Sequence, residues 1–173
     1  MNNKNYKVTS TSIVETRYLG IPKEYKLKCI EELSKLCNKD YKFTNVNALR
    51  TEGYLLWENS KVFDKLLENI TVHYHQYISS IELNQTLFKN NTIKNAWGVI
   101  YKEGGYSKKH NHNSFFYSFI YCLSAESNNS PLIFEDKTYI QPKDDMLMLF
   151  PSHLYHEVLP NKGTKFVIAG NIT

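Results

Sequence analysis

Two histidines one residue apart, His110 and His112, stand in "YKEGGYSKKHNHNSFFYSF" (residues 101–119), after a Gly-Gly turn and before an aromatic run. On an extended strand, side chains at i and i+2 share a face, so two imidazoles aim at one spot. On a helix they would diverge by about 200°. Two imidazoles on one face are half of a metal site. A third ligand from another strand would cap one side of an ion and leave the opposite positions open, as non-haem iron requires for a co-substrate and oxygen. "LFPSHLYHEVLP" (residues 149–160) offers His153 and His156. "PSH" reads as a turn and "YHEV" as the start of a strand, which holds a ligand more firmly than a turn tip. His156 is therefore the expected third ligand and His153 the alternative. Histidines in polar loops are usually just solvated, so the joint pattern carries the inference. His73 and His75 also spell H-x-H, but they fall within a helical pattern, diverge there, and are expected to bind no metal.

The elements that must position these residues divide near residue 90. Residues 12–19 can form an early strand. Pro22 suits the first turn of a helix, which continues through Leu27, Ile30, Leu33 and Cys37 to the polar residues 38–40. A second helix, capped by Asn59 or Ser60, follows from the three-and-four spacing of Phe63, Leu66, Leu67, Ile70, Tyr74, Tyr77, Ile78 and Ile81, fading near Asn84. Beyond residue 90, short runs rich in β-branched and aromatic residues alternate with turn-like pieces, the pattern of a sandwich or barrel. The expectation is one domain over residues 1–173: a helical support region with some strand (1–90) and a β core (91–173). In "TKFVIAGNI", alternation puts Lys165, Val167 and Ala169 on one face and Phe166, Ile168 and Gly170 on the other. The first, slimmer set suits a barrel interior.

Composition narrows the function classes. The chain has 173 residues, 42% of them apolar, with 13 Tyr and 9 Phe, enough for a core built on pleated surfaces. Its 21 basic and 17 acidic residues give a net charge of +4 with the lysines scattered, which is no nucleic-acid footprint. No apolar run reaches the ~18 residues of a membrane span. Three cysteines without a CxxC pair and a polar start fit a reduced, cytoplasmic protein.

Taken in order, "NAWGVIYKEGGYSKKHNH" (95–112), "YSFIY" (117–121), "LFPSHLYHEVLP" (149–160) and "KFVIAGN" (165–171) resemble the iron(II)- and 2-oxoglutarate-dependent oxygenases, closest to a family of small members from microbes and their viruses. The match spans about half the chain. "TNVNALRTEGYLLWENSKVFDKLLENI" (44–70) is similar more faintly. The resemblance implies a mainly β fold, a double-stranded β-helix (jelly roll) braced by two N-terminal α-helices. It implies that His110, His112 and His156 hold iron(II). It also implies that Lys165, nine positions beyond His156, pairs with the far carboxylate of 2-oxoglutarate, because a buried acid needs a cation partner. Tyr101 sits where related prolyl-hydroxylase-like enzymes carry a tyrosine that hydrogen-bonds the same carboxylate. Trp97, Tyr106 and the Phe115/Phe116 pair are candidates to line the substrate entrance, and Lys108 and Lys109 to attract an anion. The implied activity is oxidation of an unactivated C–H, most simply hydroxylation, of a small-molecule or peptide substrate.

The chain departs from the broad superfamily at His112, which occupies the acidic position of H-x-D or H-x-E; in the smaller family H-x-H is normal. Glu103, Glu135 and Glu157 lack the spacing to replace that acid. Two other functions share the barrel. A cupin would fit Gly105 five residues before His110, but Phe116 and Tyr117 stand where its glutamate belongs, and His153 where its second motif has Gly. A non-catalytic metal- or ligand-binding barrel would bind without turnover.

Overall fold

The strand-forming runs of the second half become the two faces of one core. In the computed structural model, which describes residues 12–38, 45–81, 88, 90–135 and 137–173, the elements run β1 (Glu15–Tyr18), α1 (Lys23–Leu36), β2 (Cys37–Asn38), β3 (Val46–Asn47), β4 (Leu49–Thr51), α2 (Leu56–Asn59), a 3-10 turn (Lys61–Phe63), α3 (Asp64–Ser80), β5 (Ile93–Tyr101), β6 (Tyr106–His110), β7 (Tyr117–Ser124), β8 (Leu132–Phe134), β9 (Tyr139–Ile140), β10 (Met146–Pro151), β11 (His156–Val158) and β12 (Lys165–Ile172). They form a seven-stranded sheet, β1-β10-β7-β12-β5-β4-β2, and a five-stranded sheet, β3-β6-β11-β8-β9. The strand pairs within both are antiparallel.

The larger sheet is covered on both faces, which is why its strands read as nearly continuous apolar runs. One face takes the helices. Ala96 and Ile100 of β5, Phe119 and Tyr121 of β7, Leu147 and Leu149 of β10 and Ile168 of β12 pack against Cys29 and Leu33 of α1 and Leu66, Ile70 and Tyr74 of α3. The approach of α1 is close enough that a Cβ at Gly98 would collide with the Leu33 side chain. The alternate residues Trp97, Val99, Tyr101, Cys122, Met146, Met148, Phe150 and Val167 face the smaller sheet and pack with its Leu132, Phe134 and Val158. This is the jelly-roll arrangement, with the inner face of both sheets around the site.

Several boundaries differ from those the sequence suggests. Helix α1 stops at Leu36, and Cys37 begins β2 instead, because Thr51 of β4 offers it a ladder partner. The second helical pattern opens as a 3-10 turn, capped by Ser60 as expected, and a short helix the sequence did not suggest precedes it. Asn59 ends the short α2, and the Ser60 hydroxyl accepts the Val62 N–H at 3.3 Å, starting the 3-10 turn that leads into α3. Strands β3 and β4 are too short to show a period, yet they matter. With β1 and β2 they make the described part of residues 1–90 contribute to both sheets: β1 pairs with β10, β4 with β5 and β3 with β6. The fading of the second pattern near Asn84 lies outside the described residues. No helix among the described residues is long and apolar enough to cross a membrane. Cys29, Cys37 and Cys122 are buried free thiols.

Candidate metal centre

His156 opens β11 directly opposite His110, the last residue of β6. Directly opposed residues of an antiparallel pair put their side chains on the same face, close together. The ring centroids of His110 and His156 are 4.4 Å apart. The ladder shifts between this pair and the next, Val158 with Ser107, so three residues of β6 advance against two of β11. Such a bulge re-aims side chains. Here it lets both Ser107 and His110 face the interior despite their odd spacing, and it leaves Tyr106 outside the lining of the cavity. His112 lies just beyond the end of β6, so the two-residue strand period alone does not place it. Its backbone N–H donates to the Ser152 carbonyl at 2.8 Å, and its ring lies 5.1 Å from His110 and 5.4 Å from His156.

The candidate ligand atoms of the three histidines all lie within 4.8 Å of one another. An ion can then sit within about 2.8 Å of all three, a small ring movement away from a metal–nitrogen bond of ~2.0–2.2 Å. Ring tautomers fit the same role. The Nδ1 of His110 contacts the Lys108 carbonyl at 2.7 Å, and that of His156 contacts the Leu154 carbonyl at 3.0 Å. A carbonyl only accepts, so each Nδ1 carries the proton and each Nε2 keeps its lone pair for a metal. Burial, reinforced by the neighbouring imidazoles, pushes the pKa of His112 down to about 4 and of His156 down to about 3; burial lowers that of His110 as well. All three are therefore neutral at physiological pH, the form that binds metal. The donor set fits a divalent borderline ion such as iron(II).

His153 is exposed and contacts Ser12, so the third position belongs to His156. His73 and His75 lie on α3, apart from the cluster. Two of the three nearby glutamates are engaged elsewhere: Glu135 pairs with Lys109 at 2.9 Å, and Glu103 accepts the Gly163 N–H at 2.7 Å. Glu157 borders the cavity. The cluster is thus all imidazole among the described residues.

The histidines open onto a cavity of about 710 Å³. Lys165 enters it from the opposite sheet, only 3% exposed, on the face shared with Val167 and Ala169. Its Nζ donates to the Ser130 carbonyl at 2.8 Å and lies 5.0 Å over the ring of Tyr101, its direct partner on β5. Burial lowers its pKa to about 8. Burial raises that of Tyr101 to about 12, so its hydroxyl remains a donor. Trp97 lines the cavity beside His112, with ring centroids 5.8 Å apart. Phe115 also lines it, whereas Phe116 is exposed and packs edge-on against Phe88. Lys109 is held by Glu135 and Tyr155.

Two features of the site are not evident in the sequence. Arg50 of β4 is a buried guanidinium in the same cavity. A buried polar chain also runs beside His112: Ser118 Oγ donates to Asn171 Oδ1 at 2.7 Å and shares a 2.8 Å hydrogen bond with the Ser152 hydroxyl, and Asn171 Nδ2 donates to Asn95 Oδ1 at 2.8 Å. Each of its four members comes from a different sequence motif quoted above.

No protein-family model matches the sequence, and no curated protein does. Solved structures match in fold. A viral collagen prolyl hydroxylase from Paramecium bursaria Chlorella virus-1, in complex with 2-oxoglutarate, is 17% identical with a TM-score of 0.67, covering 92% of this chain and 94% of its own. An oxidoreductase of the 2-oxoglutarate–iron(II) oxygenase family from Burkholderia pseudomallei is 7% identical with a TM-score of 0.70, covering 94% and 85%. HygX from Streptomyces hygroscopicus, with nickel and 2-oxoglutarate bound, is 11% identical with a TM-score of 0.66, covering 94% and 83%. With its three clustered histidines in an H-x-H…H pattern, this chain has the fold of the 2-oxoglutarate- and iron(II)-dependent oxygenases.

Proposed function

We propose that this protein is an iron(II)- and 2-oxoglutarate-dependent oxygenase of the hydroxylase type. The observation that carries the reading is one cavity holding three neutral, convergent imidazoles and, from the facing sheet, a buried lysine. The viral hydroxylase and HygX, whose structures hold 2-oxoglutarate, share this fold and so lend it support. His110, His112 and His156 would hold the metal, His110 and His156 through Nε2. Iron(II) with 2-oxoglutarate and oxygen supplies an oxidant for an unactivated C–H, the co-substrate leaving as succinate and carbon dioxide.

The chain's own residues do the rest. The Lys165 ammonium would exchange the Ser130 carbonyl for the far carboxylate of 2-oxoglutarate, a stronger charge-assisted acceptor. Tyr101, protonated and alongside, would donate a second hydrogen bond. Val99, Met148, Phe150, Val158 and Val167 line the same cavity and keep it apolar. Trp97 borders the space beside His112 in which a substrate would lie. A buried cation has no evident use in a cupin that ignores 2-oxoglutarate. The test is to supply iron(II), 2-oxoglutarate and oxygen and follow the products: succinate and carbon dioxide in equal amounts support the reading, and unchanged 2-oxoglutarate with metal bound refutes it.

A further inference from the structure

The cavity is laid out along β5 and β12. Residues that face each other across the pair follow in step: Lys165 with Tyr101, Val167 with Val99, Ala169 with Trp97 and Asn171 with Asn95. Asn95 and Tyr101 are therefore separated by about 20 Å of strand, at ~3.3 Å per residue. Lys165 and Tyr101 stand at one end, Trp97 lies beside His112 between the ends, and the two asparagines stand at the other. A 2-oxoglutarate anchored by Lys165 leaves the asparagine end to another molecule.

The hydrogen-bond chain at that end has a fixed direction. Ser118 Oγ gives its one proton to Asn171 Oδ1, so the Ser152 hydroxyl donates to Ser118. Asn171 Nδ2 in turn donates to Asn95 Oδ1. Run the other way, the chain would leave the proton of the fully buried Ser152 hydroxyl with no acceptor among the described residues. An unmade bond on a buried donor is the costly case. Asn95 thus ends the chain with its side-chain carbonyl occupied. Its Nδ2 has no hydrogen-bond partner among the described residues, and the residue lines the cavity.

The walls around that donor are mostly apolar and aromatic. Trp97 is next on the inward face, Tyr54 stands edge-on to it at 5.5 Å, and Leu55 bridges to Ala96. Phe115 lines the cavity with them. Tyr54 is about half exposed, so the cavity reaches solvent there. A few placed polar groups among apolar walls are what fix a ligand's orientation in small-molecule sites. The Asn95 amide is uncharged, and an uncharged carbonyl meets it without the desolvation of a charge. We propose that Asn95 orients the substrate by donating to its carbonyl, and that the substrates are small neutral amides with an apolar group against Trp97. Their oxidation rests on the oxygenase reading; their binding is measured without it.

The chain has two tryptophans, and Trp57 packs at the margin of the helix-side core. In a Trp57→Phe background loaded with spectroscopically silent zinc(II), with and without 2-oxoglutarate, Trp97 emission locates a ligand and calorimetry gives its affinity. The probes are N-isopentylacetamide, N-benzylacetamide and N-(2-phenylethyl)acetamide, with the matching thioacetamides, which keep the shape and offer a weaker acceptor. At least one acetamide should change the emission saturably. Asn95→Leu should weaken it by about tenfold or more, the range of one unpaired buried polar group, and weaken its thioacetamide clearly less. Asn95→Asp keeps the acceptor that Asn171 needs and removes the donor. It should lose the acetamide by a similar factor with zinc affinity kept, and it decides the matter if the Leu variant does not fold. Asn95→Leu should bind 2-oxoglutarate within about threefold of the parent, because distant sites act independently. The proposal is overturned if no acetamide binds, if Asn95→Leu weakens both series equally or loses 2-oxoglutarate, or if Asn95→Asp binds the acetamide like the parent. A loss of zinc in Asn95→Asp overturns it too, making Asn95 a support of His112 only. A parent that fails to bind 2-oxoglutarate refutes the oxygenase reading instead, and the titrations without it still decide the role of Asn95.

Discussion

Lys165 holds its ammonium against a neutral carbonyl and the face of a tyrosine, an arrangement that an incoming carboxylate would improve. Replacing it with Met keeps the bulk and removes the charge. Losing a buried charge partner costs about 2–5 kcal/mol of binding, so Lys165→Met should weaken 2-oxoglutarate at least ~30-fold while metal affinity, measured by calorimetry, stays. The same residue sets a pH dependence. Burial places its pKa near 8 in the free protein, and the carboxylate needs the charged form. Affinity for 2-oxoglutarate should therefore be full below that value and fall as pH rises through it, by about tenfold per unit at the limit of one proton. Binding isotherms from pH 7 to pH 9 test this. The slope should vanish in Lys165→Met, and a parent whose affinity is flat across that range would exclude a lysine anchor.

At the scale of the elements, the centre depends on a bulge, a strand end and a polar chain. The bulge on β6 turns His110 inward beside His156. Beyond the strand, the Ser152 carbonyl holds His112, and the Ser152 hydroxyl is tied through Ser118 to Asn171 and Asn95. Ser118→Ala would break the middle of that chain, leaving a buried acceptor on Asn171 without its donor at a cost of about 1–3 kcal/mol. Loosening the support of a ligand typically costs ten- to a hundredfold in metal affinity. Metal titration of Ser118→Ala should show a loss of that order, and His153→Ala should show none. An unaltered Ser118→Ala would make the chain a packing feature only. Alternation on β12 is readable in the sequence because eight residues give it a period, and Lys165 could be placed on the inner face from it. Arg50 is not readable that way: β4 has three residues, and only its pairing with β5 decides where the guanidinium points. Tyr106 shows the reverse. Its parity with His110 suggests the interior, and the bulge, which the sequence does not mark, puts it outside the cavity lining.

For the whole molecule, the helices and the site use opposite faces of one sheet, so stability and binding can be separated. Leu33 is fully buried between α1 and the sheet. Leu33→Ala should cost about 2–5 kcal/mol in urea denaturation, with 2-oxoglutarate affinity of the folded protein unchanged; a matching loss of binding would mean that α1 sets the geometry of the cavity through β5. The two-layer fold was legible from the strand-rich second half. The contribution of residues 1–90 to both sheets was not, because two- and three-residue strands carry no period of their own. The central claim couples two imidazoles on one sheet, and a third just beyond the end of β6, to a lysine on the other sheet through a single small molecule. Oxygen-free calorimetry with iron(II) and 2-oxoglutarate tests that coupling most directly. The account predicts one iron per chain, 2-oxoglutarate bound tightly only when iron is present, and loss of both in His156→Ala. Binding of 2-oxoglutarate that is equally tight without metal, or iron retained in full by His156→Ala, would contradict it.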